Sequence, residues 1–320
     1  MVSLPWIPLV LAVLLSGHGL RKKSLSPTGA LTAFFVGFLS LAGGTYAFGV
    51  TLLVFYFTGS RATKYGKKQK AQLEDGYHEA GYRGGWQVLS NSATALIATF
   101  LWNTLFTPSS PHAALSAFFG LDIASQLGIG AVPTYDNGPE GWCPLDVTIA
   151  NGWSRLLVLA IVGHFACCLG DTLASELGIL SRAPPRLITT FKPVPPGTNG
   201  AMSTGGTIAS IAGGAIVGLV MGVSLALENV KCSSGLGGVL LGTIGWGMFG
   251  GGFGSLLDSL LGATIQQTQY SESKKRIVQN KDAETKVVSG LNILSNNQVN
   301  VVASAVTAGV VGMCSVVSGQ

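Results

Sequence analysis

The chain has 320 residues, of which 10% are charged, whereas a soluble domain has about 25% charged residues. Its mean hydropathy is +0.47, and 45 of its residues are glycine. These values exclude an ordinary soluble protein. In a membrane protein, the net charge of +5 indicates loops beside anionic lipid rather than a surface for nucleic acid.

The hydropathy pattern predicts eight apolar helices. A helix needs about 20 apolar residues to cross roughly 30 Å of hydrocarbon, so the second and third runs, separated by Gly43 and Gly44, are short and can form a tight hairpin instead of two full crossings. Glycines recur at helical spacing in the sixth and seventh runs, which is typical of closely packed transmembrane helices. In chain order the runs are 4–20, 30–41, 46–60, 87–106, 153–180, 207–227, 236–262 and 299–317.

The basic residues predict the topology. Of the nineteen Lys and Arg, seventeen fall in the four segments 21–23, 61–83, 182–192 and 274–286. If all eight runs cross, these segments share the cytosolic face, as the positive-inside rule requires. We therefore expect one all-α polytopic transmembrane bundle over residues 1–320, with both chain ends on the other face.

Two loops complete this topology. We expect a basic cytosolic loop at 61–86 and a non-cytosolic loop at 107–152, in which the apolar stretch 113–132 is an interfacial or re-entrant piece because a ninth crossing would break the charge alternation. Cys143 and Cys232 both lie on the non-cytosolic side, where an oxidising lumen would permit a disulfide. Two unpaired cysteines on one side by chance is the alternative.

Carboxylates lie near the cytosolic ends of two apolar runs. Asp171 and Glu176 end the fifth run, together with Ser175, and Asp258 lies near the end of the seventh. Carboxylates at membrane depth are costly and usually face a wet cavity, which makes them candidates for function. Helix capping or pairing with Arg182 and Arg186 is the alternative. Asp171 and Glu176 point about 140° apart on a straight helix, so a shared cation needs a helix break or another segment.

Two polar segments are predicted on the same face. In the loop 184–203, backbone donors at Thr198, Asn199 and Gly200 precede a helix, and Arg186 and Lys192 add positive charge, which is the composition of an anion site. An ordinary proline-rich turn with a helix cap is the alternative. The last run begins with an amide cluster consisting of Asn296, Asn297 and Asn300; capping explains the first two more readily than Asn300.

Several blocks of sequence carry a family resemblance. They are RKKSLSPTGA at 21–30, YHEAGYRGGWQVLSN at 77–91, GDTLASELG at 170–178, PRLITT at 185–190, PPGTNGAMS at 195–203, GSLLDSLLGATIQ at 254–266 and NNQVN at 296–300. Together they resemble a membrane family that includes animal transmembrane protein 19 and the plant phytyl-phosphate kinase of tocopherol synthesis. The block at 77–91 is most similar to the animal members, whereas 107–152 matches no part of the family pattern.

The resemblance implies an enzyme of an endomembrane, such as the endoplasmic reticulum, with its active site facing the cytosol. It implies phosphoryl transfer from a nucleoside triphosphate, CTP or another, to a prenyl, phytyl-like monophosphate lipid. In such a site Asp171, Glu176 and Asp258 would be catalytic and hold Mg2+, because this ion prefers oxygen ligands. The substrate-binding residues would be Arg186, Lys192, Thr198, Asn199, Gly200, Ser175, Asn296, Asn297 and Asn300.

Other functions stay open at this stage. The Gly-Asp-x-x-Ala-Ser motif at 170–175 also resembles CTP-dependent lipid kinases and cytidylyltransferases. A transporter of an ion or small anionic metabolite would likewise place acids in the bundle, although near mid-membrane and usually with inverted repeats. A non-catalytic scaffold would leave Asp171 and Asp258 buried without a purpose, which is costly.

Overall fold

The computed structural model describes residues 5–66, 81–180, 184–278 and 285–318. Parts of three expected basic segments, including 67–80, Arg182 and Lys281, lie outside these ranges. The described chain is a helical membrane bundle, which confirms the predicted fold class. Its helices are α1 (Trp6–Arg21), α2 (Pro27–Leu41), α3 (Ala47–Lys64), α4 (Gly85–Ser90), α5 (Ala93–Phe106), α6 (Pro111–Phe118), α7 (Ile123–Gln126), α8 (Trp153–Gly178), α9 (Thr204–Glu228), α10 (Val230–Ser234), α11 (Leu236–Ile265) and α12 (Asn296–Val317).

Four of the described helices are long and apolar enough to cross a membrane: Ile149–Gly178, which contains α8, and α9, α11 and α12. The helices α1, α2 and α5 are apolar but shorter. Helix α8 is central, because it packs against α3, α5, α9, α11 and α12. At the periphery, α1 packs on α2 and makes no other extensive contact with a described element.

Glycine allows the long helices to touch backbone to backbone. A β-carbon on Gly170 of α8 would lie 2.9 Å from the Cα of Gly251 in α11 and 2.9 Å from the carbonyl oxygen of Ser210 in α9. A β-carbon on Gly254 would lie 2.6 Å from the Cβ of Cys167. The predicted close packing of Gly-rich helices is therefore confirmed, and it fixes the relative positions of α8, α9 and α11.

The fourth apolar run is not one continuous helix. It is divided into α4 and α5 by Asn91 and Ser92. The hydroxyl of Ser92 donates to the carbonyl oxygen of Val88 at 2.8 Å, and that of Ser90 donates to the carbonyl oxygen of Trp86 at 2.7 Å. Such local side-chain bonds compete with the helical ladder. The interruption leaves Asn91 free to face the interior of the bundle.

The loop 107–152 forms one end of the bundle. Its helices α6 and α7 have eight and four residues, too few to cross a bilayer. Cys143 forms a disulfide with Cys232 of α10, with their Cα atoms 4.9 Å apart, so the predicted disulfide is confirmed. Beneath it Trp102, Phe106 and Tyr135 pack around Trp142. We call this end the disulfide end.

Five short β-strands, which the sequence analysis did not predict, accompany the helices at the opposite end. They are β1 (Arg186–Leu187), β2 (Ala201–Met202), β3 (Thr268–Ser271), β4 (Arg276–Val278) and β5 (Thr285–Ser289). Strand β1 pairs with β2, and β3 lies between β4 and β5, all antiparallel. The three strands after α11 contain residue types that favour strands, but the basic residues of this segment identified it only as a loop. These residues are Thr268, Tyr270, Ile277, Val278, Val287 and Val288.

Candidate functional site

A cavity of about 580 Å3 opens where α8 and α11 end and where α9 and α12 begin. We call this the cavity end. Asp171 and Asp258 each lie seven residues before the last residue of their helix, at a depth of about 10 Å given the rise per residue. The two carboxylates therefore lie at the same level, although 87 positions of sequence separate them.

Asp171 and Asp258 form the acidic centre of the cavity. Both line it, both are partly buried, and they lie close enough to interact electrostatically. Two like charges at this depth are unfavourable unless a cation or a proton neutralises them. The arrangement therefore favours the binding of a positively charged group between α8 and α11.

An amide cluster lies beside this pair. The side-chain amide of Asn300 is 3.3 Å from Oδ1 of Asn91, at the break between α4 and α5. In the other amide orientation its nitrogen donates to Oδ2 of Asp258 at 3.3 Å and to the carbonyl oxygen of Asn296 at 3.0 Å. Asn300 thus connects Asp258 to the broken helix, and Asn91 is a cavity residue that the sequence analysis did not identify.

Glu176 also lines the cavity but lies near a different partner. It interacts electrostatically with the guanidinium of Arg83. Across the described ranges, no group of three or more His, Cys, Asp or Glu side chains is close enough to hold a metal ion. The expected cluster of three carboxylates is therefore not preformed, because residues 171 and 176 point away from each other on a continuous helix.

The remaining carboxylate pair still suits Mg2+. This ion is commonly held by one or two protein carboxylates together with waters and substrate phosphates, rather than by a complete cage of protein ligands. Asp171 and Asp258 provide carboxylate oxygens in one cavity, and the amide nitrogen of Asn300 can orient Asp258 by donating to its Oδ2. Phosphate oxygens would complete the coordination shell.

A positively charged side chain, Arg83, lines the cavity, although the sequence analysis did not identify it as a site residue. Its Nη1 donates to the hydroxyl of Ser60 at 2.8 Å, and its guanidinium carbon lies 5.6 Å from the centroid of the Tyr56 ring. Burial lowers the pKa of Arg83 from its ordinary value, and nearby Tyr56 and Glu176 oppose this shift. One of six Lys and Arg in a predicted basic loop, Arg83 had no sequence signal to distinguish it.

The structure separates the other predicted site residues into two groups. Those that line the cavity are Ser175, Thr198, Asn199, Gly200 and Asn296. Arg186, Lys192 and Asn297 do not line it; Arg186 and Lys192 are exposed, and Nη1 of Arg186 donates to the carbonyl oxygen of Phe191 at 2.8 Å.

The loop 195–203 is held by hydrogen bonds within itself, to β3 and to the start of α9. The N–H of Thr198 donates to the carbonyl oxygen of Pro195 at 3.3 Å, and that of Asn199 donates to Oγ1 of Thr268 at 3.1 Å. Ser203 caps α9 by accepting from the N–H of Gly206. Two of the three backbone donors predicted to hold phosphate are therefore already engaged, and the loop forms a wall of the cavity.

The cavity continues away from the polar residues as an apolar arm between α1, α2 and α3. Its lining includes Leu15, Leu25, Ala33, Val36, Leu41 and Leu52. Tyr56 and Arg83 lie where the apolar arm meets the polar part of the cavity. One continuous space therefore combines carboxylates, a cation and an apolar surface.

The profile of an integral membrane protein family, DUF92, matches residues 10–308. The chain belongs to this family. Among DUF92 relatives, it is 33% identical to Protein PGR of Arabidopsis thaliana over 99% of both chains. It is 29% identical to an uncharacterized membrane protein of Synechocystis sp. over 83% of this chain and 82% of that one. It is 27% identical to Protein VTE6, chloroplastic, of Arabidopsis thaliana over 69% of this chain and 55% of that one. No solved structure matches the chain.

Proposed function

We propose that this DUF92 protein is a membrane-embedded kinase that transfers a phosphoryl group from a nucleoside triphosphate to a prenyl monophosphate. The observation that carries this proposal is the pairing of Asp171 with Asp258 in a cavity that also contains Arg83 and the apolar arm. These features match the needs of a reaction between two phosphates, one of which is attached to a lipid chain.

The chemistry needs few protein groups. Phosphoryl transfer depends mainly on positioning and on neutralising charge. An oxygen of the prenyl monophosphate attacks the terminal phosphorus of the nucleotide, and the bond from that phosphorus to the leaving nucleoside diphosphate breaks. Asp171 and Asp258 would hold Mg2+, which would supply charge neutralisation for both phosphates. The attacking oxygen is already anionic, so a general base is unnecessary.

The family context supports a prenyl phosphate as the acceptor. The blocks at 170–178, 195–203 and 254–266 resemble the plant phytyl-phosphate kinase, and each contributes residues to the cavity. Protein VTE6, chloroplastic, is a relative over 69% of the chain. The expected closeness to animal transmembrane protein 19 stays a prediction.

We also propose that the cavity end faces the cytosol of an endomembrane such as the endoplasmic reticulum. The described members of all four basic segments lie at this end, as the positive-inside rule predicts for a cytosolic face. A disulfide at the opposite end suits an oxidising lumen.

The kinase is tested by turnover. We expect purified protein with Mg2+ and either CTP or ATP to convert geranylgeranyl monophosphate into the diphosphate. Asp171→Asn and Asp258→Asn should each lower kcat by about 100-fold or more, because either change weakens the metal site. The control is Asp122→Asn, which alters an exposed helix cap at the disulfide end and should leave kcat unchanged.

Two results would reject the kinase. One is a wild-type protein that is inert toward a panel of prenyl monophosphates and nucleotides but moves an ion or anionic metabolite across liposomes, which identifies a transporter. The other is the release of pyrophosphate from CTP with the formation of a cytidylylated lipid, which identifies a cytidylyltransferase.

A further inference from the structure

Arg83 is rigidly held at the junction of two unlike parts of the cavity. Its N–H donates to the carbonyl oxygen of Ser24 at 3.1 Å, and its own carbonyl accepts from the N–H of Ser26 at 2.9 Å. These bonds tie it to the turn between α1 and α2. Among the described residues that line the cavity, Arg83 is the only Lys, Arg or His.

The apolar arm beyond Arg83 is long and is lined mainly by aliphatic side chains. Its lining follows α2 from Ala33 to Leu41, and it includes residues of α1 and α3 on the facing sides. Because the carbonyl oxygen of Arg83 accepts from Ser26, just before Pro27, the distance from Arg83 to the far end of the arm at Leu41 is close to the length of α2, about 21 Å. A fully extended chain with C–C bonds of about 1.5 Å advances roughly 1.25 Å per bond, so this distance corresponds to about 17 bonds.

We infer that the cavity is a lipid-phosphate site in which Arg83 binds the anionic head group and the apolar arm holds the chain. The inference names a binding mode for the substrate class of the proposed kinase and rests on that function for its biological meaning. Binding itself does not require turnover, so the two ideas can fail separately.

Charge and geometry favour this orientation of the lipid. A guanidinium binds phosphate oxygens through parallel N–H donors, and Arg83 presents its guanidinium between the hydroxyl of Ser60 and the face of Tyr56. Glu176 neutralises part of this charge when no ligand is present. With its phosphate at Arg83, a prenyl monophosphate extends its chain along α2 and leaves the carboxylate pair on the polar side of its head group.

Gly37 provides a way to shorten the apolar arm. It is buried and lines the cavity, yet a β-carbon built on it meets no atom within 4 Å, so a larger side chain can enter the arm without a clash. Gly37 lies ten residues after Pro27, which is about 15 Å along the helix. Gly37→Leu should therefore close roughly the last third of the distance from Arg83 to Leu41.

The experiment measures binding of radiolabelled geranyl, farnesyl and geranylgeranyl monophosphate to the purified full chain without nucleotide. Their extended chains are about 10, 15 and 20 Å long. Gly37→Leu should weaken geranylgeranyl binding by about tenfold or more, because several methylene groups lose their apolar surroundings, and should leave geranyl binding within about twofold. The matched control is Gly17→Leu in α1, which is exposed, equally open and outside the cavity lining.

The head-group half of the inference is tested with Arg83→Gln. This change should weaken the binding of all three phosphates by a similar factor of about tenfold, and it should affect the corresponding uncharged alcohols by less than about twofold. If Arg83→Gln reduces the yield of folded protein, the Gly37→Leu measurement still decides the placement of the chain.

The outcomes separate the binding site from the kinase. Tight, chain-dependent binding without turnover retains the inference and rejects the proposed kinase. Turnover with identical chain preference in wild-type, Gly37→Leu and Gly17→Leu proteins retains the kinase and overturns the inference. A wild-type protein that binds none of the three phosphates also overturns the inference.

Discussion

The absence of a side chain at Gly170 determines where the carboxylate of Asp171 lies. Gly170 precedes Asp171, and α8 approaches both α9 and α11 at this point. The separation leaves no space for a side chain, since a β-carbon would lie 2.9 Å from backbone atoms of Gly251 and Ser210. The close approach of α8 and α11 brings Asp171 near Asp258.

Replacing Gly170 with alanine should damage the site without touching a carboxylate. We expect Gly170→Ala to force α8 away from its neighbours and to destabilise the bundle by about 1–3 kcal/mol, the usual cost of overpacking. The unfolding temperature and the turnover rate, measured in the same detergent, should both decrease.

The matched control for Gly170→Ala is Gly309→Ala in α12. A β-carbon on Gly309 meets no atom within 4 Å, so this helix should tolerate alanine or gain slightly in stability. Equal unfolding temperatures for the two variants would contradict the packing that the structure assigns to Gly170.

The sequence indicated that Asp171 and Asp258 face a cavity, because carboxylates at membrane depth are costly and usually have a function. The opposite directions of Asp171 and Glu176 also follow from helix geometry alone. Arg83 was not predictable, since its distinction is burial against Tyr56 and Ser60, and this depends on how three distant segments pack. For the same reason, Lys192 and Arg186 carried the expected charge but not the expected position.

At the scale of elements, the small sheet of β3, β4 and β5 supports the cavity wall. Thr268 of β3 is 1% exposed, and its Oγ1 accepts from the N–H of Asn199 in the loop 195–203. The same loop continues through Ser203 into α9. The sheet therefore braces a loop that begins a transmembrane helix.

Thr268→Val removes this brace while preserving side-chain shape. The partly buried N–H of Asn199 would lose its acceptor, which costs up to about 1–3 kcal/mol. We expect a lower unfolding temperature and faster hydrogen exchange in the loop 195–203. Thr264→Val is the control, because the hydroxyl of Thr264 is exposed and bonds only within α11; a similar exchange pattern in both variants would refute the brace.

Element boundaries were harder to predict than element types. Four of the long apolar runs became α8, α9, α11 and α12, and the helical glycine spacing belongs to α9 and α11. The break at Asn91 and Ser92 was hidden inside a run that is apolar on average. The strands near 268–289 are three to five residues long, and their pairing is a contact between segments that local propensity cannot specify.

For the whole molecule, charge distribution predicts which end faces which compartment. Single cysteines can test this at Ser273, which is exposed beside the sheet, and at Ser125, which is exposed in the loop 107–152. With Cys314, which is exposed, replaced by serine, sealed vesicles with their cytosolic face outward should be labelled by a membrane-impermeant maleimide at Ser273→Cys only.

Permeabilising the vesicles is the control for this topology, since it should expose Ser125→Cys to the same reagent. Labelling at Ser125→Cys before permeabilisation, with Ser273→Cys protected, would invert the orientation. The grouping of the described basic residues at one end agrees with the positive-inside rule, which acts on loops before any tertiary packing forms. The convergence of four helix ends on one cavity required the packing itself.

The peripheral position of α1 affects how such a protein would be supplied. This helix forms one wall of the apolar arm. Among the described elements, α2 is the only one with which it packs extensively. Only helix α1 would therefore separate a lipid in the arm from the bilayer on that side. The lipid would reach the protein by diffusion within the membrane, so the binding rate would depend on the surface density of the lipid in the bilayer. Adding inert phospholipid should lower this rate even when the bulk concentration of the lipid substrate is constant.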